Sequence, residues 1–284
     1  MSAKTRAGKK ALEAKGPKII ENRKKSLFIK GRKFPSVMRD VWDDLATFRF
    51  GEIVKFSREN DILPFESSEE LEKHCRLNDC SLFAFFTHNK KKPYDLVFGR
   101  LFNHVIMDMF EFGVDKIVER SVLPKPSHLP GDTPALVFQG DQWDTELSPL
   151  RSFFIDFFVG DMKGHVDLHQ VTHMIVLTAT EEGKRILFRH YNVKDANTTN
   201  PEVSQICPCF DMVRRRERVS DESTLMAAMN KAPEEKKKKN IKRDALGRDI
   251  GRVFVGKNDV AKLRMKKFAG LPKRRVIDEN HNTE

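Results

Sequence analysis

Apolar residues in this chain gather in short runs punctuated by glycine, proline and charge, and the runs switch between strand-like and helical spacing. Residues 26–30 (SLFIK) form a run that stops at Gly31, and Pro35 opens a segment with Val37, Met38, Val41, Trp42 and Leu45 at helical spacing. Strand, turn and helix are predicted in that order. Residues 52–56 predict a second strand, and Ser67-Ser68-Glu69-Glu70 opens a helix with Ser67 and Glu70 at capping-box spacing. Residues 82–87 (LFAFFT) and 96–101 (LVFGRL) flank His88-Asn89-Lys90-Lys91-Lys92-Pro93, the pattern of a hairpin with a basic tip.

Pro124, Pro126, Pro130, Gly131 and Pro134 then interrupt both kinds of spacing, so residues 121–134 are expected to join two halves. The order partly repeats beyond them. Residues 135–139 (ALVFQ) end at Gly140 as the first run ended at Gly31, an apolar helix is predicted over about 146–159, and strands at 174–180 and 185–191 face each other across a turn. The strands repeat at an offset of 109 residues and the hairpins at 92. Strand, glycine, helix and hairpin therefore occur twice, which predicts a duplicated α/β unit. A last strand at about 208–213 and a short helix over 221–230 complete this globule.

Charge divides the chain differently. Residues 1–33 carry a net charge of +10 and residues 231–284 a net charge of +9, which leaves −8 for residues 34–230. An acidic globule with two basic arms is expected, the arms disordered when free and directed at a polyanion. Four cysteines without paired spacing and without a leader-like start predict a reducing compartment and buried thiols rather than disulfides. The most apolar stretch, residues 153–159, is short and contains Asp156, so no membrane span is expected.

Candidate chemistry is sparse. His165, His169 and His173 recur every four residues near Asp161 and Asp167, but Gly164 and the strand that follows break the helix needed to converge them. No turnover and no tightly held metal are therefore predicted. Walker, dinucleotide-binding, nucleophile-elbow and zincin motifs are missing. Asp43 and Asp44 are adjacent on a predicted helix and diverge by about 100°, which fits a solvated face rather than an acid/base pair. The 22 phenylalanines lie mainly in strongly apolar runs and are assigned to the core. Cationic groups are the better candidates for RNA binding. Lys90, Lys91 and Lys92 form a finger at a hairpin tip, and Arg214, Arg215 and Arg216 follow a strand, where planar guanidinium forks suit phosphate. The C-terminal arm adds Lys236, Lys237, Lys238, Lys239, Lys242, Arg243, Lys266, Lys267, Lys273, Arg274 and Arg275. A chromatin or DNA-binding protein and a metal-dependent RNA-processing enzyme are the alternative classes.

Asp79-Cys80-Ser81-Leu82-Phe83, the basic loop His88 to Pro93, Leu96-Val97, Gly99-Arg100 and Asp108-Met109 through Gly113-Val114 resemble the Brix-domain family. The resemblance spans roughly residues 26–230 and continues through Lys236 to Asn240, Asp244, Gly247, Gly251-Arg252, Lys257, Asp259, Leu263, Lys267 and Gly270-Leu271. Cys207-Pro208, followed by Phe210, Met212, Arg214 and Arg215, stands where the family has Gly-Pro. The resemblance implies a pseudo-duplicated α/β Brix domain over 26–230, with anticodon-binding-domain-like halves at about 26–120 and 135–230, between basic arms at 1–25 and 231–284. It implies a non-catalytic assembly factor of the large ribosomal subunit in the nucleolus, without cofactor, that recruits the 5S ribonucleoprotein particle. The implied partners are the regulator of ribosome synthesis protein as a heterodimer, 5S rRNA with its ribosomal proteins, and large-subunit pre-rRNA.

Overall fold

The strand β1 (Ser26–Gly31) is apolar without alternation because it is covered on both faces. The computed structural model describes residues 5–8, 10, 23–124, 126, 128–160, 171–180, 182–194, 196, 198, 201–230 and 240–251. The chain divides into two compact units, Met1–Ala232 and Pro233–Glu284.

In the first unit β1 leads into α1 (Ser36–Phe48), β2 (Ile53–Asn60), α2 (Glu69–Leu77), the hairpin β3 (Leu82–Thr87) and β4 (Asp95–Phe102), and β5 (Val105–Asp115). After the proline-rich linker come β6 (Ala135–Gln139), a 3-10 turn (Asp141–Asp144), α3 (Ser148–Phe154), a π-helical turn (Ile155–Val159), β7 (His173–Thr180), β8 (Arg185–Lys194), β9 (Glu202–Arg218) and α4 (Glu222–Ala228). The nine strands make one sheet in the order β2-β1-β3-β4-β5-β9-β8-β7-β6. β1 and β3 are parallel, and β3, β4 and β5 antiparallel; β6 and β7 are parallel, and β7, β8 and β9 antiparallel. The two halves thus repeat one pattern and meet where β5 pairs antiparallel with β9, Gly113 opposite Val213. The insertion of β2 and α2 in the first half accounts for the unequal repeat offsets.

The main core lies on the face covered by α1 and α3. Met38, Val41, Trp42, Leu45 and Phe48 of α1, together with Phe153, Phe154, Phe157 and Phe158, pack on Phe28, Phe86, Phe98, Phe112, Phe188 and Phe210 of the sheet. The helices do not stay on their own halves: Phe157 meets Phe98 of β4 at 5.0 Å in an edge arrangement, while Phe48 meets His190 of β8 at 5.0 Å. Such pairs add about 0.5–1.5 kcal/mol beyond area burial, and here they fasten the halves together. Buried ionic contacts follow the same route. Arg100 of β4 donates to Asp108 at 2.5 Å and to Asp156 of the π turn at 2.8 Å, and Arg49 at the end of α1 donates to Ser26 and to the Phe157 carbonyl. Removing one member of such a buried set costs about 3–5 kcal/mol.

A second, smaller core lies on the opposite face, where Leu71 and Cys75 of α2 cover Leu27, Ile29, Phe83, Phe85 and Val97. Among the described residues no helix does the same for β6–β9. β7 and β8 accordingly alternate strictly between buried and half-buried positions.

Several expectations need correction. α2 begins at Glu69 after Ser68, without the predicted capping box: Ser68 Oγ donates to Glu72 at 3.3 Å, and the Ser67 amide donates to the Leu63 carbonyl. β9 is 17 residues long rather than confined to about 208–213, because its polar ends pair with β8 on one side and β5 on the other while staying exposed or half-buried. Asp44 is not solvated, since Arg120 from the linker binds it at 2.5 Å and burial raises its pKa despite that partner. The thiols of Cys75, Cys80, Cys207 and Cys209, by contrast, are free and buried as their spacing predicts. In the second unit, β10 (Ile241–Arg243) and β11 (Asp249–Gly251) form a hairpin. It stands where charge alone predicts a disordered arm; the turn closes through the Gly247 amide on the Asp244 carbonyl, with Gly247 at φ +76.

Candidate nucleic-acid interface

The β3–β4 loop and the arginine run of β9 are more than a hundred residues apart in sequence, yet the sheet brings them together. The β5–β9 pairing lays Arg214, Arg215 and Arg216 beside the strands that carry the loop. Arg215 reaches across to Asp95 of β4 at 2.6 Å and to the Pro93 carbonyl at 2.9 Å. Gly113 makes this crossing possible, because a Cβ there would lie 2.5 Å from the Arg215 guanidinium. Lys92 and Arg216 both bind Glu111 of β5, each at 2.5 Å, and Arg216 also lies over the Phe65 ring at 4.4 Å. Arg214 donates to the Gly183 carbonyl at 3.1 Å and to Glu217 at 2.8 Å.

These guanidinium groups are held by internal partners rather than standing open. A cavity of about 430 Å³ runs along them, and its lining sets Lys184, Arg214, Arg215 and Arg216 against Glu111, Glu146, Glu182 and Glu217. The charges balance, so this cavity does not carry the dense positive field that the run of arginines suggests in sequence. Arg216 remains partly exposed, whereas Asp95 and Glu111 beneath it are buried. Burial, and then the adjacent Glu111, push the Asp95 carboxyl up to about 7, against the pull of Arg215. Burial also pushes Glu111 up, but the hydrogen bonds of Arg216 and Lys92 outweigh it and hold Glu111 below the usual value.

Lys90 and Lys91 differ from their neighbour. Both are exposed at the loop tip and neither forms an ion pair with a described residue. The Lys92 amide donates to the Asn89 side chain at 2.6 Å, which fixes the turn that presents them. Lys242 is exposed on β10, and Arg243 follows it on the same strand. Lys236 to Lys239, Lys266, Lys267, Lys273, Arg274 and Arg275 lie outside the described residues.

The histidines are arranged otherwise than the spacing suggests. His165 and His169 lie outside the described residues, and His173 meets His128 of the linker and His190 of β8 instead. A histidine on the buried side of the strict β8 alternation was the visible signal for His190. Nothing local marked His128.

Comparison with known proteins places residues 31–244 in a match to the Brix domain. The ribosome production factor 2 homolog of Schizosaccharomyces pombe is 31% identical over 291 residues, covering 97% of this chain and 91% of its own. The ribosome production factor 2 homolog of Chaetomium thermophilum is 34% identical over 313 residues, covering 95% and 89% respectively. Among solved structures, a probable ribosomal biogenesis protein from Aeropyrum pernix K1 aligns with 69% of this chain and 99% of its own, with a TM-score of 0.47 and 13% identity.

Proposed function

Because this chain belongs to the Brix-domain family and has relatives named ribosome production factor 2 along nearly all of its length, we propose that it is a non-catalytic assembly factor of the large ribosomal subunit that helps bring the 5S ribonucleoprotein particle to the precursor. The observation that carries this reading is the reach of the match. It extends over 97% of the chain and so includes basic sequence beyond the Brix domain. Work in the nucleolus, with the regulator of ribosome synthesis protein as heterodimeric partner and with 5S rRNA, its ribosomal proteins and pre-rRNA as cargo, belongs to the same proposal.

The division of charge supports it. Phosphate contacts fall to the arms and to the exposed Lys90 and Lys91, while the ion-paired arginines stiffen the ledge on which that loop stands. The protein partner is assigned to the outward face of β6–β9, where Val176, Leu187 and Tyr191 are only half-buried and the acidic globule favours a basic partner. Binding of 5S rRNA against salt tests the reading. Deleting residues 231–284 is expected to weaken binding strongly and to flatten the log-log salt dependence by about three if four phosphates are no longer neutralised, at roughly 0.7–0.9 each. An unchanged slope would move the RNA site into the globule, and equal competition by duplex DNA would favour the chromatin class.

A further inference from the structure

Where the linker passes the second half of the sheet, three imidazoles converge beside Phe48 of α1. His173 and His190 have no exposed surface, and His128 is half-buried against them. The ring centroids lie 4.0 Å apart for His128 and His173, 5.0 Å for His128 and His190, and 5.3 Å for His173 and His190, with Phe48 of α1 packed on all three. One ring nitrogen from each histidine lies within 4.8 Å of the other two. Burial lowers all three from the usual imidazole value, His173 and His190 to about 3, so the rings are neutral at physiological pH.

The hydrogen bonds of these rings divide their nitrogens into two sets. His190 Nδ1 donates to the Cys207 carbonyl at 2.8 Å, His173 Nδ1 is bonded to the Thr172 hydroxyl at 3.0 Å, and Asn192 holds the His128 ring by a side-chain bond. The remaining nitrogens, His190 Nε2, His173 Nε2 and His128 Nδ1, are buried without a hydrogen-bond partner. A buried polar atom left unpaired costs about 1–3 kcal/mol, and a fold that gathers three of them in one place has a use for their lone pairs. Neutral imidazoles whose second nitrogens are fixed by carbonyl, hydroxyl or amide groups are the usual donors to zinc-class cations.

We propose that His128, His173 and His190 form a binding site for a borderline divalent transition-metal cation, with zinc(II) the fitting species. Ligand nitrogens about 2.0–2.1 Å from zinc stand roughly 3.3 Å from one another in tetrahedral geometry. The three ligand atoms lie within 4.8 Å of one another in this structure, so binding draws them together by at most about 1.5 Å. The ion clamps the linker to β7 and β8, next to the point where the Gly131 amide already donates to the Thr47 carbonyl of α1 at 3.1 Å. It therefore acts as a staple at the join between the halves and needs no part in RNA contact. Among the described residues no thiol joins the group of ligand atoms, which comes from His128, His173 and His190.

The test uses the full chain, stripped with a chelator and titrated with cobalt(II), then zinc(II). One equivalent of cobalt(II) is expected to produce the visible bands of tetrahedral nitrogen ligation without sulfur charge-transfer absorption, and zinc(II) to displace it. At free zinc about 100-fold above Kd the midpoint of thermal unfolding rises by about 5 °C or more. His128→Ala, on the linker and outside the sheet, is expected to keep the native circular dichroism spectrum. It should weaken metal binding by more than the 10- to 100-fold typical of losing an outer-shell partner. His190→Gln serves as a second variant that keeps a polar group in the pocket. Absence of saturable cobalt binding by the folded chain, or binding unchanged in His128→Ala, overturns the proposal.

Discussion

Asp95 and Glu111 show how much of this molecule is decided by single carboxylates under cationic side chains. Asp95 holds its proton more tightly in the folded chain than in the unfolded one, so its stabilising contribution is full below about pH 4 and fades as pH rises through about 7. Glu111 runs the other way: its contribution is present above about pH 4.5 and is lost on acidification. Asp95→Asn, which copies the protonated carboxyl, is therefore expected to cost less than about 1 kcal/mol at pH 7 and to flatten the decline of stability between pH 5 and 8. Glu111→Gln removes the shared acceptor of Lys92 and Arg216 and should cost about 1.5–3 kcal/mol. Urea unfolding of both variants across that pH range checks the order, and equal losses at pH 7 would contradict it. At this scale the sequence was legible as far as residue type. Arg215 and Arg216 stand out as guanidinium forks, but the acids that hold them are 120 residues away for Asp95 and 105 for Glu111, and no local pattern announces a partner at such a separation.

Elements were read well where burial is one-sided or complete, because only then does periodicity report the environment. The strands β1, β3 and β4, the helix α1 and the β7–β8 hairpin each carry an apolar pattern that matches their covering. The full length of β9 escaped, since Glu202 to Gln205 and Arg214 to Arg218 are paired in the sheet while remaining exposed or half-buried. The candidate RNA elements separate in the same way. The β3–β4 loop offers Lys90 and Lys91 to solvent, whereas Arg215 and Arg216 belong to the packing of β4, β5 and β9. Replacing Lys90 and Lys91 with Ser should leave the unfolding midpoint unchanged and reduce the salt slope of 5S rRNA binding by roughly 1.5, at 0.7–0.9 per phosphate. Reversing charge at Arg215 or Arg216 should unfold the protein before it reports on RNA, because Asp95 and Glu111 would face like charge. A slope unmoved in the lysine variant would make that loop merely a soluble tip.

At the scale of the whole molecule, the duplicated plan and the extra strand and helix of its first half were visible in sequence, whereas the second core that this helix covers was not. Both halves carry a parallel pair followed by antiparallel strands, but among the described residues only the first inserts a strand and helix, β2 and α2, and so covers both faces of its sheet. The two halves also share one main core, so they are not independent pieces. Their seam gives the chain a particular history during synthesis. β9 is the last long strand described, yet it lies inside the sheet, between β5 and β8. A nascent chain that has not reached Glu202 exposes the edges of both neighbours, the condition that favours pairing with the wrong chain. Chains ending before Glu202 are expected to stay protease-sensitive and to aggregate, whereas chains that include residues 202–230 should resist limited proteolysis across the globule; a compact, resistant short chain would contradict this. Synthesis must therefore pass Arg218 before the joined sheet, and with it the outward face of β6–β9 proposed for the protein partner, can take its native form.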